Sequence, residues 1–104
     1  MDFDQFQALS RRTQPPAEHL LGHSALGIAG EAGEVVDVVK KHTYQGHELD
    51  VPKLVDEMGD ILWHLCEMCD AIGVPFSAVA SRNVAKLQER YPDGFDPERS
   101  RNRK

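Results

Sequence analysis

The chain has 104 residues, of which 40% are hydrophobic, and a formal net charge of −5. This length allows one domain with a small core, and small helical domains often complete their burial by oligomerising. The negative charge argues against binding to a nucleic-acid backbone as the main task. The sequence shows neither an apolar leader nor a long uncharged apolar run, so we expect a soluble, cytoplasmic protein.

The hydrophobic pattern predicts an all-α domain that begins with a short N-terminal helix. Apolar residues recur at helical spacing over about 3–12, 18–43, 51–72 and 75–91. Prolines 15 and 16 separate the first two helices, and Gly73 is suited to end the third. Asp50 is a favourable N-cap for the third helix. We therefore predict a single domain over 1–95, followed by a polar, basic tail over 96–104.

The third helix is apolar on two sides. One stripe consists of Leu54, Met58, Ile61, Leu65, Met68 and Ile72, and the other of Val55, Leu62, Cys66 and Cys69. Such a helix is predicted to be buried on both of these sides. Its third side is polar and carries Glu57, Asp60, His64 and Glu67. Solvation alone is a weak explanation for these acids on an interior helix.

The Cys66-x-x-Cys69 pair lies in the middle of this helix, and the sequence has no second cysteine pair. A redox pair favours a helix N-terminus, and a structural zinc site needs two further ligands. The two cysteines are therefore predicted to be small buried residues rather than a functional site.

Glycines 22, 27, 30 and 33 lie inside the second predicted helix, where each is unfavourable relative to alanine. They indicate a close approach of the backbone to a partner helix or a ligand. A break or bend around Gly22 to Gly27 is the alternative explanation.

Two carboxylate pairs, Glu31 with Glu34 and Glu57 with Asp60, are the most informative feature of the sequence. The i, i+3 spacing places both acids of a pair on one face of a helix. Four acids that converge from two helices repel one another, and a divalent cation offsets that repulsion. Hard cations such as Mg²⁺ prefer oxygen ligands and bridge carboxylates to phosphates. The pairs therefore predict a metal site for phosphate chemistry.

Two alternatives compete with this interpretation. Glu-x-x-Glu is common on exposed helix faces, although here both pairs lie on strongly apolar helices and enclose a glycine. A di-iron or di-manganese bundle requires Glu-x-x-His from two helices, and that pattern is missing. A non-enzymatic helical interaction module is the rival from another functional class, but it has no evident need for such acids.

Candidate partners for a phosphate group lie elsewhere in the chain. Asn83, Lys86 and Arg90 form a polar stripe on the fourth predicted helix, and their donors suit phosphate oxygens. Lys40 is a further candidate, although a cation near a helix C-terminus is favourable in any case. Trp63 adjoins the Asp60 face and is a candidate for stacking on a base, with packing as the alternative.

The histidines carry less information. His64 lies one turn beyond Asp60 and is interpreted either as a hydrogen-bond partner of a metal ligand or as an interface histidine. His23 has no metal-site partner at convincing spacing and is interpreted as a surface or loop residue. The alternative is a contact with a base, since Gln5, Gln14 and His23 lie where the N-terminal region could supply one.

Three segments resemble the MazG-like nucleoside triphosphate pyrophosphohydrolases. They are residues 26–35 (LGIAGEAGEV), 57–63 (EMGDILW) and 83–95 (NVAKLQERYPDGF). The order of the motifs, the gap between the acid pairs and the final Asn-x-x-Lys agree with that family. The resemblance extends from about Phe3 to Phe95. The chain carries one copy of the module, unlike the two-domain members, so no regulatory second domain is expected.

The resemblance implies Mg²⁺-dependent hydrolysis of (deoxy)nucleoside triphosphates to the monophosphate and pyrophosphate, with Mn²⁺ as a substitute. It also implies a four-helix bundle core that is completed by assembly into a homodimer or homotetramer, with sites near the subunit interface. By position, the metal ligands are Glu31, Glu34, Glu57 and Asp60, whereas Asn83 and Lys86 hold the triphosphate. Water is expected to attack the α-phosphorus, with Glu31 or Glu34 as the base. Nucleobase preference is left open, and relatives include dUTP, dCTP and phosphoribosyl-ATP hydrolases.

Overall fold

The computed structural model describes residues 1–103. Its helices are α1 (Phe3–Ser10), α2 (Leu20–Tyr44), α3 (Val51–Ile72), α4 (Phe76–Arg90) and α5 (Pro97–Arg101), and the 3-10 turns Arg11–Thr13 and Ala17–His19 connect α1 to α2. No strand occurs in this part of the chain, so the all-α prediction is confirmed. None of the described helices has the length and hydropathy needed to span a bilayer.

The helix ends follow local sequence signals. The Asp50 side chain accepts a hydrogen bond from the Lys53 N–H at 3.1 Å, which confirms the predicted N-cap of α3. Gly73 adopts φ +73° after the last turn of α3, a conformation that glycine adopts without steric cost. Within the predicted basic tail, α5 is a short helix that the sequence did not indicate.

Helix α2 runs without a break through its four glycines, so the predicted break around Gly22 to Gly27 does not occur. A Cβ atom at Gly27 would overlap the imidazole ring of His64 on α3, which confirms a close approach at this position. The other glycines of α2 have open space where a Cβ would lie.

The main packing unit is the α2–α3 hairpin, and α1 packs across the C-terminal part of α3 and against α4. The small buried apolar cluster consists of Cys66, Cys69 and Phe76, with Phe6 and Leu65 packed against it. Burial raises the pKa of the Cys66 thiol to about 11. The prediction that both cysteines are buried is therefore confirmed, and their thiols are unsuited to redox or metal chemistry.

A hydrogen-bonded network around Asp70 joins the N-terminal segment to α3. Arg11 donates to Asp70 Oδ1 through Nε at 3.0 Å and Nη2 at 2.8 Å, and Gln14 donates to Oδ2 at 2.7 Å. The Gln7 amide donates to Oδ1 at 2.9 Å and accepts from the Phe76 N–H at 2.7 Å. This network fixes the position of α1 against the α3–α4 junction.

One chain does not bury α3 on both apolar sides as predicted. Val55, Met58 and Leu62 are exposed on one face of the helix. The accessible surface is 7592 Å², against about 5,800 Å² for a compact monomer of this mass. The radius of gyration is 16.8 Å, against about 13 Å for a compact domain of this length. The difference follows from the open packing, in which no helix within residues 1–103 covers this face of α3.

Candidate active site

The polar face of α3 lies against α2 in a regular antiparallel register. Three pairs of residues face each other across the two helices: His23 with Glu67, Gly27 with His64, and Glu31 with Asp60. From one pair to the next, the position moves one turn toward the end of α2 and one turn toward the start of α3. The hairpin connection and the helical repeat together impose this order. Glu31, Glu57 and Asp60 therefore lie on the same interhelical surface.

Glu31, Glu57 and Asp60, which we call the carboxylate cluster, converge at this surface. One oxygen from each side chain lies within 4.8 Å of an oxygen from each of the other two. Ligands on opposite sides of a Mg²⁺ ion lie about 4.2 Å apart, so small side-chain adjustments suffice for a shared cation. Glu31 and Glu57 are half-buried, and Asp60 is exposed.

The electrostatics of the carboxylate cluster are unfavourable without a cation. The pKa of Glu57 is raised by its hydrogen bond to Glu31, by burial and by the charge of Glu31. Among the described residues, no Lys or Arg forms a salt bridge with any of these three carboxylates. The cluster thus combines convergent oxygens with an unneutralised negative charge, which is the donor set that a hard divalent cation prefers.

Glu34 is the predicted ligand that stands apart. It lies one turn beyond Glu31 on α2, and in the interhelical register it is level with the Glu57 turn of α3. Its side chain is exposed, and its oxygens are not among those that converge. The structure therefore brings together three of the four predicted ligands and places the fourth beside them.

The residues predicted to hold phosphate lie away from the carboxylate cluster. Asn83 and Lys86 line a groove on α4 together with Val74, Val79 and Arg82. Arg90 lines a separate groove with α5, and its carbonyl oxygen accepts a hydrogen bond from Arg99 Nε at 2.7 Å. Within one chain, the predicted phosphate ligands and metal ligands are thus distributed over different surfaces.

Lys40 and Trp63 also have structural partners. Lys40 Nζ lies 3.3 Å from a carboxylate oxygen of Asp37, one turn back on α2. The indole N–H of Trp63 donates to Thr13 Oγ1 at 2.9 Å, and its ring meets the His64 ring edge-on at 4.9 Å between centroids. These contacts account for both side chains without a ligand, and their predicted roles in substrate binding stay predictions.

A second polar cluster lies on the same surface and was largely missed from the sequence. Glu67 is completely buried, with one carboxylate oxygen 2.6 Å from His23 Nδ1 and the other 3.0 Å from His64 Nδ1. His23 is a surface residue as predicted, but it lies on α2 rather than in a loop, and its contact with Glu67 was not foreseen. The available signal was Glu67 itself, a charged residue on the interior face of α3.

Comparisons with known proteins identify the family of this chain. Residues 23–95 match the MazG nucleotide pyrophosphohydrolase domain, a segment that includes both acid pairs and the Asn83 stripe. The chain is 32% identical over 78 residues to the Gene 37 protein of Mycobacterium phage L5, an alignment that covers 71% of this chain and 68% of the phage protein. No solved structure gives a significant match. By this domain match and by its convergent acids, the chain belongs to the MazG nucleotide pyrophosphohydrolase family.

Proposed function

We propose that this protein hydrolyses (deoxy)nucleoside triphosphates at the α-phosphorus, releasing the nucleoside monophosphate and pyrophosphate. The observation that carries the proposal is the convergence of Glu31, Glu57 and Asp60 without a neutralising side chain. Membership of the family supports the reaction class. An acid cluster of this kind is costly to a small domain unless a bound cation offsets the repulsion.

The carboxylate cluster and Glu34 would hold Mg²⁺, with Mn²⁺ as a substitute, because all four supply hard oxygen ligands. When bound, the cation supplies charge neutralisation for the triphosphate and a more acidic water. Glu31 or Glu34 would accept the proton of the attacking water. Glu31 is half-buried at the interhelical surface, whereas Glu34 is exposed. Both positions allow contact with a water beside the substrate.

Asn83, Lys86 and Arg90 would neutralise the phosphates and the leaving pyrophosphate. Because they line grooves separate from the carboxylate cluster, we propose that they act on the site of a second copy. The exposed stripe of Val55, Met58 and Leu62 on α3 supports a homodimer or homotetramer, since a second copy would cover it. Trp63 and Lys40 would contribute to substrate binding only after leaving their present partners.

The reaction is tested by measuring pyrophosphate release from a panel of canonical and damaged nucleotides, with Mg²⁺ or with EDTA. We expect turnover that requires the metal and that Asp60→Asn abolishes, with helicity and oligomeric state intact. Asp56→Asn is the matched control, because Asp56 is an exposed acid on the same helix outside the carboxylate cluster. Full turnover by Asp60→Asn and Glu34→Gln would refute the assignment.

The shared site is tested by mixing two inactive variants, Asp60→Asn and Lys86→Ala, after dissociation and reassembly. If the acids and Lys86 act from different copies, mixed dimers contain one intact site, and about a quarter of wild-type activity returns. If both act from the same copy, every site in the mixture carries one of the two substitutions. Mixing then restores no activity. Light scattering on Met58→Lys checks whether the α3 stripe holds the copies together.

A further inference from the structure

The cluster of His23, His64 and Glu67, which we call the histidine cluster, is not used by the reaction proposed above. Glu67 is inaccessible to solvent, and each of its oxygens faces one imidazole nitrogen. A fully buried carboxylate is costly unless hydrogen bonds compensate it. Two histidines on different helices supply that compensation here, so their orientation is fixed from the inside of the hairpin.

This arrangement determines which nitrogen of each ring carries a proton. A carboxylate only accepts hydrogen bonds, so both Nδ1 atoms donate, and each neutral ring then presents Nε2 as an acceptor. Neither Nε2 has a hydrogen-bond partner among the described residues. His23 is exposed, and His64 has no buried nitrogen without a partner. Both acceptors therefore reach solvent while the opposite side of each ring is anchored.

The surroundings keep these rings in place. Gly27 has no side chain where the His64 ring crosses α2, and the Trp63 ring packs edge-on against His64. The centroids of the His23 and His64 rings are 5.6 Å apart, so the two acceptors belong to one small site. Binding sites gain affinity when their polar groups are held in position before the ligand arrives.

The position along the hairpin relates this site to the carboxylate cluster. His64 follows Asp60 by one turn of α3, and His23 precedes Glu31 by two turns of α2. At a rise of 1.5 Å per residue, the histidines lie roughly 6–12 Å along the hairpin from the acids. A nucleoside joined through its 5′ oxygen to a phosphate at the acids would extend over this distance.

We propose that the histidine cluster binds the nucleoside part of the triphosphate substrate. His23 Nε2 and His64 Nε2 accept hydrogen bonds from N–H or O–H groups of the base or the sugar, and Glu67 is the positioning residue that fixes both rings. The proposal rests on the proposed function for the identity of the substrate. The nucleoside is then recognised on the same surface between α2 and α3 that carries the carboxylate cluster.

A transition-metal ion is the competing occupant, since two histidines and a glutamate are ligands that Zn²⁺ accepts. The geometry favours hydrogen bonds. The contacts of 2.6 Å and 3.0 Å place Glu67 directly against each ring, whereas neighbouring ligands of one tetrahedral Zn²⁺ lie about 3.3 Å apart. The metal is therefore an outcome of the test rather than the proposal.

The first test uses His23→Asn, in which the amide still donates to Glu67 but the Nε2 acceptor is lost. We expect KM for the preferred nucleotide to rise about tenfold, as for one lost hydrogen bond to a substrate. The inhibition constant of inorganic triphosphate, which has no nucleoside, should not change. His19→Ala is the control, because this histidine is exposed and outside the histidine cluster.

The second test uses Glu67→Gln, which keeps the shape of the side chain. The amide donates to one ring, and that ring must then carry its proton on Nε2 and lose its acceptor. We expect the same selective rise in KM, with helicity and oligomeric state preserved. Wild-type KM values in both variants would overturn the proposal. Stoichiometric Zn²⁺ that survives dialysis in the wild type but not in His23→Asn would also overturn it.

Failure of the proposed function has a different signature. In that case the wild type releases pyrophosphate from no nucleotide, and Asp60→Asn behaves identically. In that case, calorimetry measures the affinity of the wild type and of His23→Asn for nonhydrolysable nucleotides and for inorganic triphosphate. A tenfold weaker affinity of His23→Asn for the nucleotides alone supports the subsite, and equal affinities of both proteins reject it.

Discussion

Helix α3 carries two groups of acids whose environments are opposite. Asp70, near its end, receives hydrogen bonds from Arg11, Gln7 and Gln14, which together lower its pKa despite burial. Glu57, near its start, faces Glu31, and that contact raises its pKa. The first carboxylate is satisfied by the chain itself, whereas the second is left without a cationic partner. Asp70 therefore serves the fold, and Glu57 is available for a ligand.

The comparison shows why residue type and burial alone do not identify a site. Both acids lie on the same helix, and both are partly buried. What differs is the sign of the neighbouring charges, and perturbed carboxylates that lack a cation are candidates for function. Substitutions that remove each carboxylate should consequently have opposite effects on stability and activity.

The largest expected effect is the loss of activity in Glu57→Gln. We expect pyrophosphate release to fall by about a thousandfold, the upper range for removal of one group that stabilises transition-state charge. In EDTA, the thermal midpoint should stay the same or rise, because the repulsion with Glu31 is removed. Calorimetric melting and the pyrophosphate assay measure the two effects. A lowered midpoint with intact activity would mean that Glu57 serves the fold.

Asp70→Ala should show the reverse pattern. The substitution leaves Arg11, Gln7 and Gln14 without their shared acceptor, which should lower the free energy of unfolding by about 3 kcal/mol. Activity per folded molecule should not change, because Asp70 lies outside the carboxylate cluster. Urea denaturation at fixed protein concentration measures the loss, and Asp56→Ala should stay within about 0.5 kcal/mol of wild type. Equal losses of unfolding free energy in Asp70→Ala and Asp56→Ala would show that the Asp70 network has no special role in stability.

A smaller effect on stability is expected where α2 and α3 approach closely, between the Asp70 network and the carboxylate cluster. Gly27→Ala should destabilise by about 2 kcal/mol, because the added Cβ displaces the His64 ring that Glu67 anchors. Gly22→Ala is the matched control, since open space surrounds its Cβ position. It should stabilise the protein by about 0.8 kcal/mol through helix propensity. Denaturation curves that rank the two variants in the other order would contradict the close approach.

Much of the fold and part of the site could be predicted because the signals are local. Hydrophobic periodicity and the caps at Asp50 and Gly73 placed the helices to within a few residues, and i, i+3 spacing placed each acid pair on one helix face. The Asp70 network was missed because it joins polar residues far apart in the chain. The contact between His23 and Glu67 depends on the register between two helices, which periodicity does not encode.

The phosphate side of the site could not be placed from the sequence for a different reason. The stripe of Asn83 and Lys86 was predicted correctly to lie on α4, since helical spacing alone decides it. Under the proposed function, this stripe reaches the acids of a second copy of the chain. Packing between copies is not encoded by a local sequence pattern, and Met58 is among the exposed apolar residues on which the proposal rests.

The smallest and most discriminating effect concerns pH, because the two acids respond in opposite directions. The raised pKa of Glu57 means that its folded-state penalty is present at neutral pH and disappears as pH falls toward its unfolded value of about 4.3. The lowered pKa of Asp70 means that its stabilisation is complete above an unfolded value of about 3.9 and is lost below it. Without metal, the joint contribution of these two acids to stability should therefore rise as pH falls from 7 to about 4 and then decline. Glu57→Gln should flatten the upper limb of this profile and Asp70→Asn the lower limb, as measured by urea denaturation at each pH. A single variant that flattens both limbs would show that the two acids share one electrostatic environment, against the contrast drawn from their contacts.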